Sequence, residues 1–324
     1  MATLGTMMRL QFTGIDFGFL NLRHAHSHLG FYGVFVPMTW VLSPHFNKLF
    51  NFRYELYFYY LFVWVAFFAF LFGGYNLIAH IFSAIIYIFW VYKYPKININ
   101  SFTSKTLIYL NLTFITLSLL AVIFGPKLLS HLLVADLAHG FILNIIFLVI
   151  LVPIIGEYIY PFKLSPLWLI GTILFYLTEI KLFQIHFNIG ELILGLFLIF
   201  TPINKKINSD FELYFSILIK SMAIVFVISS LLFSLLKYNY NIATIHALFL
   251  SIIGPHYISK ILSHHFNKLI CYVISFLGLL MSAIIVLLDY FPEWFIQINF
   301  LIAFLGGLIV LALIGTYFLL PKKQ

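Results

Sequence analysis

Charge is scarce in this chain. Only 9% of its 324 residues are Asp, Glu, Lys or Arg, against about 25% in a soluble globular domain, which excludes a water-soluble body. Cysteine is nearly absent: Cys271 stands alone, excluding a disulfide framework and a thiolate metal cluster. There is no Gly-rich phosphate loop, no serine nucleophile elbow, no His-Glu-x-x-His helix and no Cys-x-x-Cys-His segment, which removes the common signatures of nucleotide, ester and zinc-peptidase chemistry. Asp16 interrupts any apolar run near the start, and no small-residue cleavage site follows one, so the first residues do not read as a cleaved signal peptide. No internal repeat is evident. The net charge of +8 comes from lysines and arginines scattered in ones and twos, the pattern of membrane loops rather than of a nucleic-acid surface, so no nucleic-acid partner is expected.

What the chain has is oil. Its residues are 63% hydrophobic with a mean hydropathy of +1.07, and at about 20 residues per crossing there is room for about eleven or twelve spans with short loops. The expected fold is all-α, a polytopic transmembrane helical bundle forming a single transmembrane domain over 1–324, with 1–22 as an interfacial segment. Apolar runs bounded by Gly, Pro and charge place spans near His24–Val41, Tyr54–Phe72, Leu77–Tyr92, Leu107–Phe124, Leu129–Ile155, Leu167–Ile185, Ile189–Phe200, Leu213–Leu236, Ile242–Leu262, Leu269–Leu288 and Trp294–Leu320. The ninth is interrupted by Gly254-Pro255. Aromatic runs such as Tyr57-Phe58-Tyr59-Tyr60 read as lipid-facing or packing residues.

An odd number of spans puts the termini on opposite sides. Sorted by alternating sides, thirteen basic residues fall with the C-terminus, and five (Arg9, Arg23, Lys127, Lys181 and Lys237) with the N-terminus. The positive-inside rule then makes the C-terminus cytoplasmic and the N-terminus external, in what is expected to be a bacterial inner membrane. Eight of the twelve histidines, with Asp136, Glu179 and Glu191, fall in the outer half. Intramembrane ionisable groups are costly and mark functional sites.

The densest feature is Arg23-His24-Ala25-His26-Ser27-His28, three imidazoles at alternate positions opening the first span. Imidazole is the commonest side-chain donor to transition metals. On a helix, His24 and His28 share a face about 40° wide while His26 points away, so the cluster needs partners from elsewhere. His131, Asp136 and His139 form a second group, with Asp136 and His139 three apart, a spacing that suits a carboxylate orienting a ligand histidine. His246 and His80 are single histidines in apolar spans. The candidate metal ligands are therefore His24, His28, His246, His139, His26, His80 and His131, supported by Asp136 and Arg23. The same residues also read as interfacial or packing histidines, and His264-His265 as an interfacial loop. His256, after Gly254-Pro255, reads either as the mark of a helix break, of the kind that lines cavities, or as a packing residue.

Arg23-His24-Ala25-His26-Ser27-His28-Leu29-Gly30 and Ile245-His246-Ala247-Leu248 through Gly254-Pro255 resemble the two most recognisable stretches of NnrS-type proteins, haem- and copper-containing membrane proteins of the nitric oxide response. Those are in turn similar in plan to subunit I of haem–copper oxidases and nitric oxide reductases. The likeness covers about twenty residues. It implies a haem, b-type and non-covalent, with copper as a second metal, and makes His24, His28 and His246 the first ligands. It also implies a small diatomic ligand or substrate and an electron-donor subunit. The chain lacks the adjacent mid-membrane histidine pair and the His–Tyr cross-link pattern of the oxidases, so their oxygen-reductase and proton-pumping activities are not carried over.

The expected function is thus an integral membrane metalloprotein acting in nitric oxide or oxygen chemistry or in electron transfer, as an oxidoreductase or a carrier. The alternative is a histidine-rich transporter for metal ions or a proton-coupled solute, with His256 and His264 as its inward-facing site. A di-metal lipid oxidoreductase ranks last, because its histidines would lie on the cytoplasmic face.

Overall fold

The computed structural model describes residues 2–38, 54–93, 196, 199–200, 210–231, 243, 246–261 and 266–318. Among these the chain is helical and contains no strand, an all-α membrane bundle. The helices are α1 (Ala2–Gln11), α2 (Leu22–His28), α3 (Tyr54–Gly73), α4 (Leu77–Lys93), α5 (Asp210–Leu231), α6 (Gly254–Ile261), α7 (Phe266–Tyr290) and α8 (Phe295–Phe318), with a short 3₁₀ turn, Pro292–Trp294, before α8. Among the described residues two π segments interrupt the α-helical pattern, π1 (Leu29–Phe35) directly after α2 and π2 (Ala247–Ile253) directly before α6.

Among the described residues three stretches are long and apolar enough to cross a bilayer: Tyr54–Gly73, Leu269–Tyr290 and Pro292–Gly315. Each matches an expected span to within a few residues. The expected fourth, fifth and sixth spans lie outside the described residues, as does most of the seventh. On α3, Tyr59, Val63, Ala66 and Phe70 are buried, whereas Tyr57, Leu61, Trp64, Phe68 and Phe72 are exposed. Both sets step by three or four residues, so one stripe packs and the other meets lipid.

Close contacts divide the chain into two compact units. One holds residues 36–66 and 80–236, where Tyr59 packs on Phe89 and Phe62 on Phe82. The other holds residues 1–35, 67–79 and 237–324, and it contains most of the candidate site. Its core is made by α7 and α8: Ile274, Leu277, Met281, Ile284, Ile285 and Leu288 against Ile298, Ile302, Leu305 and Ile309. Lipid tails are as apolar as these side chains, so close packing rather than water exclusion holds such helices together. Glycine allows it at two places. A Cβ on Gly306 would lie 2.6 Å from Thr6 Oγ1, and one on Gly278 would lie 2.7 Å from Leu250 Cβ. The first brings α1 onto α8; the second brings π2 onto α7.

The ninth span is not broken at Gly254-Pro255, a correction to the expected interruption. Gly254 N–H donates to the Phe249 carbonyl, a five-residue step, so the π segment shifts the hydrogen-bond register just before the proline and α6 continues from it. Pro255 has no N–H for the carbonyl four residues back, on Ser251. Ser275 Oγ of α7 donates to that carbonyl instead, at 2.6 Å. A neighbouring helix supplies the missing donor.

Candidate functional site

Helix α3 ends at a left-handed glycine, Gly74 (φ +59°), whose N–H donates to the Phe70 carbonyl at 2.9 Å, the common glycine stop. Asn76 then starts α4: its Oδ1 accepts the Ala79 N–H at 2.8 Å and its Nδ2 donates to the Ala69 carbonyl at 3.2 Å, an N-cap tied back to the preceding helix. The turn presses on the entry to α2, where a Cβ on Gly74 would lie 2.8 Å from Asn21 Oδ1. Tyr75, held between two fixed ends, is thereby placed over the first turn of α2.

His24 and His28 both pack on Tyr75. The His24 ring meets it edge-on at 4.5 Å, and the His28 ring at 5.7 Å. His28 is buried, 5% exposed. It stacks on Phe70 with centroids 3.8 Å apart and planes 7° from parallel, and leans on Tyr32 at 5.1 Å. Its Nε2 lies 3.4 Å from Tyr75 Oη, longer than a strong hydrogen bond. His26 leaves the cluster on the opposite face, as helical spacing requires, and fills the space over Gly5 of α1. Arg23 is exposed at the start of α2.

The second stretch singled out in the sequence packs beside the first. Phe249 in π2 sits 3.9 Å from Phe35 and 5.4 Å from Phe31, both in π1. His28 immediately precedes π1 and His246 immediately precedes π2. Two π segments, each preceded by a candidate ligand, therefore touch through aromatic side chains, and π segments concentrate at functional sites. His256 is buried in α6, with its ring 5.4 Å from that of Tyr257.

His80 lies on α4 within the other compact unit. His131, Asp136 and His139 lie outside the described residues, as do His186, Glu179, Glu191, His264 and His265. Among the described residues no group of three or more His, Cys, Asp or Glu side chains converges as a metal cluster. His24 and His28 share one neighbour, the ring of Tyr75.

Phe70, Tyr75 and Tyr32 are the site residues that sequence reasoning passed over. Phe70 was hidden inside an aromatic-rich span. The signal available for Tyr75 was its position in Gly73-Gly74-Tyr75-Asn76, a helix stop followed by a helix start that fixes whatever lies between.

Comparison with protein families, with characterised proteins and with solved structures finds no match to this chain.

Proposed function

We propose that the chain is an integral membrane metalloprotein whose His24–Tyr75–His28 group holds a transition-metal ion, copper by its donor set. The observation that carries this reading is the shared packing of His24 and His28 on Tyr75. Two imidazoles and a phenol are a nitrogen–oxygen set suited to Cu(II). Two ligand atoms bonded at about 2.0–2.1 Å to one ion stand about 2.9 Å apart when cis in a tetragonal site and about 3.4 Å apart in a tetrahedral one; His28 Nε2 and Tyr75 Oη are 3.4 Å apart, so a small inward shift of either ring would give Cu(II) its tetragonal spacing. Copper held there would supply one-electron redox chemistry. Phe70 and Tyr32 keep the His28 ring in place, and the imidazoles must be neutral to bind.

Haem, the other group implied by the resemblance, does not fit at His28. An iron about 2 Å from Nε2 would bring its porphyrin onto the Tyr75 hydroxyl, with Phe70 and Tyr32 already flanking the ring. His246, opening π2, is the remaining first ligand among the described residues. The ligand or substrate under this reading is a small diatomic, nitric oxide or oxygen, with electrons from a partner subunit. Under the same reading the N-terminus lies outside and the C-terminus in the cytoplasm of a bacterial inner membrane, as the distribution of basic residues supports.

The test is metal analysis and an optical and paramagnetic resonance spectrum of the purified full-length protein, with His24→Ala and His28→Ala beside it. One copper per chain, lost in both variants, is the expected result. Absence of stoichiometric copper and iron, or full retention of copper in His28→Ala, overturns the reading. A Soret band lost on His246→Ala would place haem there.

A histidine-based transporter is the second reading, favoured by buried His256 beside Tyr257 on α6. Buried histidine serves as a proton relay in membranes. Transport unaffected by His256→Ala would count against it.

A further inference from the structure

The seam between π2 and α7 gathers oxygen atoms inside an apolar bundle. Ser251 and Ser275 are both fully buried, and Ser275 Oγ donates to the Ser251 carbonyl at 2.6 Å. Gly278, one turn further along α7, faces the same segment. A Cβ there would lie 2.8 Å from Ser251 Oγ and 2.9 Å from the carbonyl carbon of Leu250. Only a hydrogen at that position lets α7 come so close to the polar atoms of π2.

These oxygens have capacity that the protein does not use. Ser251 Oγ, fully buried, has no hydrogen-bond partner among the described residues. A hydroxyl buried in that way is costly, and such groups mark a missing ion or water. The Leu250 carbonyl is deprived by the backbone itself. In the π register its donor is residue 255, a proline. The Gly254 N–H that an α register sends to Leu250 goes to Phe249 instead. The Ser251 carbonyl keeps a second lone pair beside its bond from Ser275.

The chemistry of this set selects its ligand. Every oxygen in it is uncharged, and neither π2 nor residues 269–288 of α7 include an Asp, Glu, Lys or Arg. Divalent cations are held by carboxylates. Carbonyl and hydroxyl dipoles with no charge behind them suit a monovalent cation that has shed its water. Backbone carbonyls released from helical hydrogen bonding hold such ions inside membrane proteins.

We propose that Leu250 and Ser251 of π2, with Ser275 of α7, form a binding site for an alkali cation, sodium or potassium, beside Gly278. Its ligands are the Leu250 and Ser251 carbonyls and the Ser251 and Ser275 hydroxyls. A cation there ties π2 to α7 and gives Ser251 Oγ its partner. The site is separate from the copper reading, because none of its residues belongs to the His24–Tyr75–His28 group.

The experiment uses the full-length protein in a neutral detergent, exchanged into choline chloride. Thermal unfolding is followed while sodium or potassium chloride replaces choline at constant ionic strength. At least one of the two ions is expected to raise the midpoint saturably. Ser251→Ala is expected to raise the half-saturating concentration at least about tenfold. In choline alone the same variant should unfold at the parent midpoint or above it, because the hydroxyl it deletes has no partner there. Ser251→Cys keeps the shape of the side chain and exchanges a hard oxygen for sulfur, so it is expected to weaken the response in the same way. A saturable response to either ion or to both, lost in the two variants, supports the site. Equal midpoints in choline, sodium and potassium overturn it and leave a buried water as the partner of Ser251. An unchanged half-saturating concentration in both variants, or a loss of stability in Ser251→Ala that is the same in choline as in the alkali salts, also overturns it.

Discussion

His28 and Phe70 stack face to face, ring centroids 3.8 Å apart and planes 7° from parallel. Forty-two positions separate them in the chain, and the stack ties the end of α2 to the end of α3. It fixes the plane of the His28 ring, whose Nε2 lies toward Tyr75. Phe70→Leu retains an apolar filler and removes the stack, so it is expected to cost about 1 kcal/mol, measured by reversible unfolding in mixed micelles. Copper affinity is expected to fall with it, because the ligand ring is no longer held.

Tyr75→Phe separates the ring from its oxygen. The edge-on contact with His24 and the contact with Phe70 are made by the ring, so the variant is expected to fold with a stability within about 1.5 kcal/mol of the parent. Copper binding is expected to weaken at least tenfold, about 1.4 kcal/mol, and the phenolate-to-copper absorption band to disappear. Unchanged affinity and spectrum would remove Tyr75 from the ligand set.

His26→Ala is the internal control for the cluster. His26 rests on Gly5, on the side of α2 away from Tyr75, so its loss is expected to leave copper binding unchanged. The cost, on the order of 1 kcal/mol, should appear in stability alone, as a lower unfolding midpoint with the copper stoichiometry of the parent.

Helical spacing alone separates His26 from His24 and His28, and the structure agrees. The limits of α3 and α4 were equally legible, because Gly73-Gly74 and the Lys93–Pro95 segment punctuate the apolar runs. The partner of His28 was not. Phe70 resembles every other aromatic in α3, and only the turn geometry at Gly74 and Asn76 decides which of them meets α2. The π segments were hidden for a related reason: π1 and π2 are apolar runs, Ser251 apart, and about one extra residue per turn leaves no trace in a sequence already hydrophobic on nearly all sides. His80 looked equivalent to His246 by depth, yet it falls in the other compact unit. Local periodicity reaches one helix; which helices meet is a long-range property.

Ser275 and Pro255 are coupled through the Ser251 carbonyl. Ser275→Ala removes the hydroxyl that donates to this buried oxygen and is expected to cost about 1–3 kcal/mol. Pro255→Ala restores a backbone N–H within reach of the register the proline forbids, so the same serine substitution should cost less in that background. A double-mutant cycle on unfolding free energies measures the coupling, expected at about 1 kcal/mol. Additive losses would mean that Ser275 does not stand in for the missing backbone donor.

Gly278 and Gly307 are glycines in neighbouring spans with opposite surroundings. A Cβ on Gly278 meets Leu250 Cβ at 2.7 Å, Ser251 Oγ at 2.8 Å and the backbone carbon of Leu250 at 2.9 Å, whereas one on Gly307 meets nothing within 4 Å. Backbone cannot rotate away as a side chain can, so Gly278→Ala must push π2 off α7. A loss of about 1–3 kcal/mol is expected for such overpacking. Gly307→Ala, in the helix interior with open space around it, should be neutral or stabilising by up to about 1 kcal/mol. The displaced segment carries Phe249, which touches Phe31 and Phe35 of π1, one turn beyond His28. Gly278→Ala is therefore expected to weaken copper binding as well as stability, from a position with no ligand of its own. If the parent affinity persists in Gly278→Ala despite the lost stability, π1 and π2 touch without π2 positioning the site.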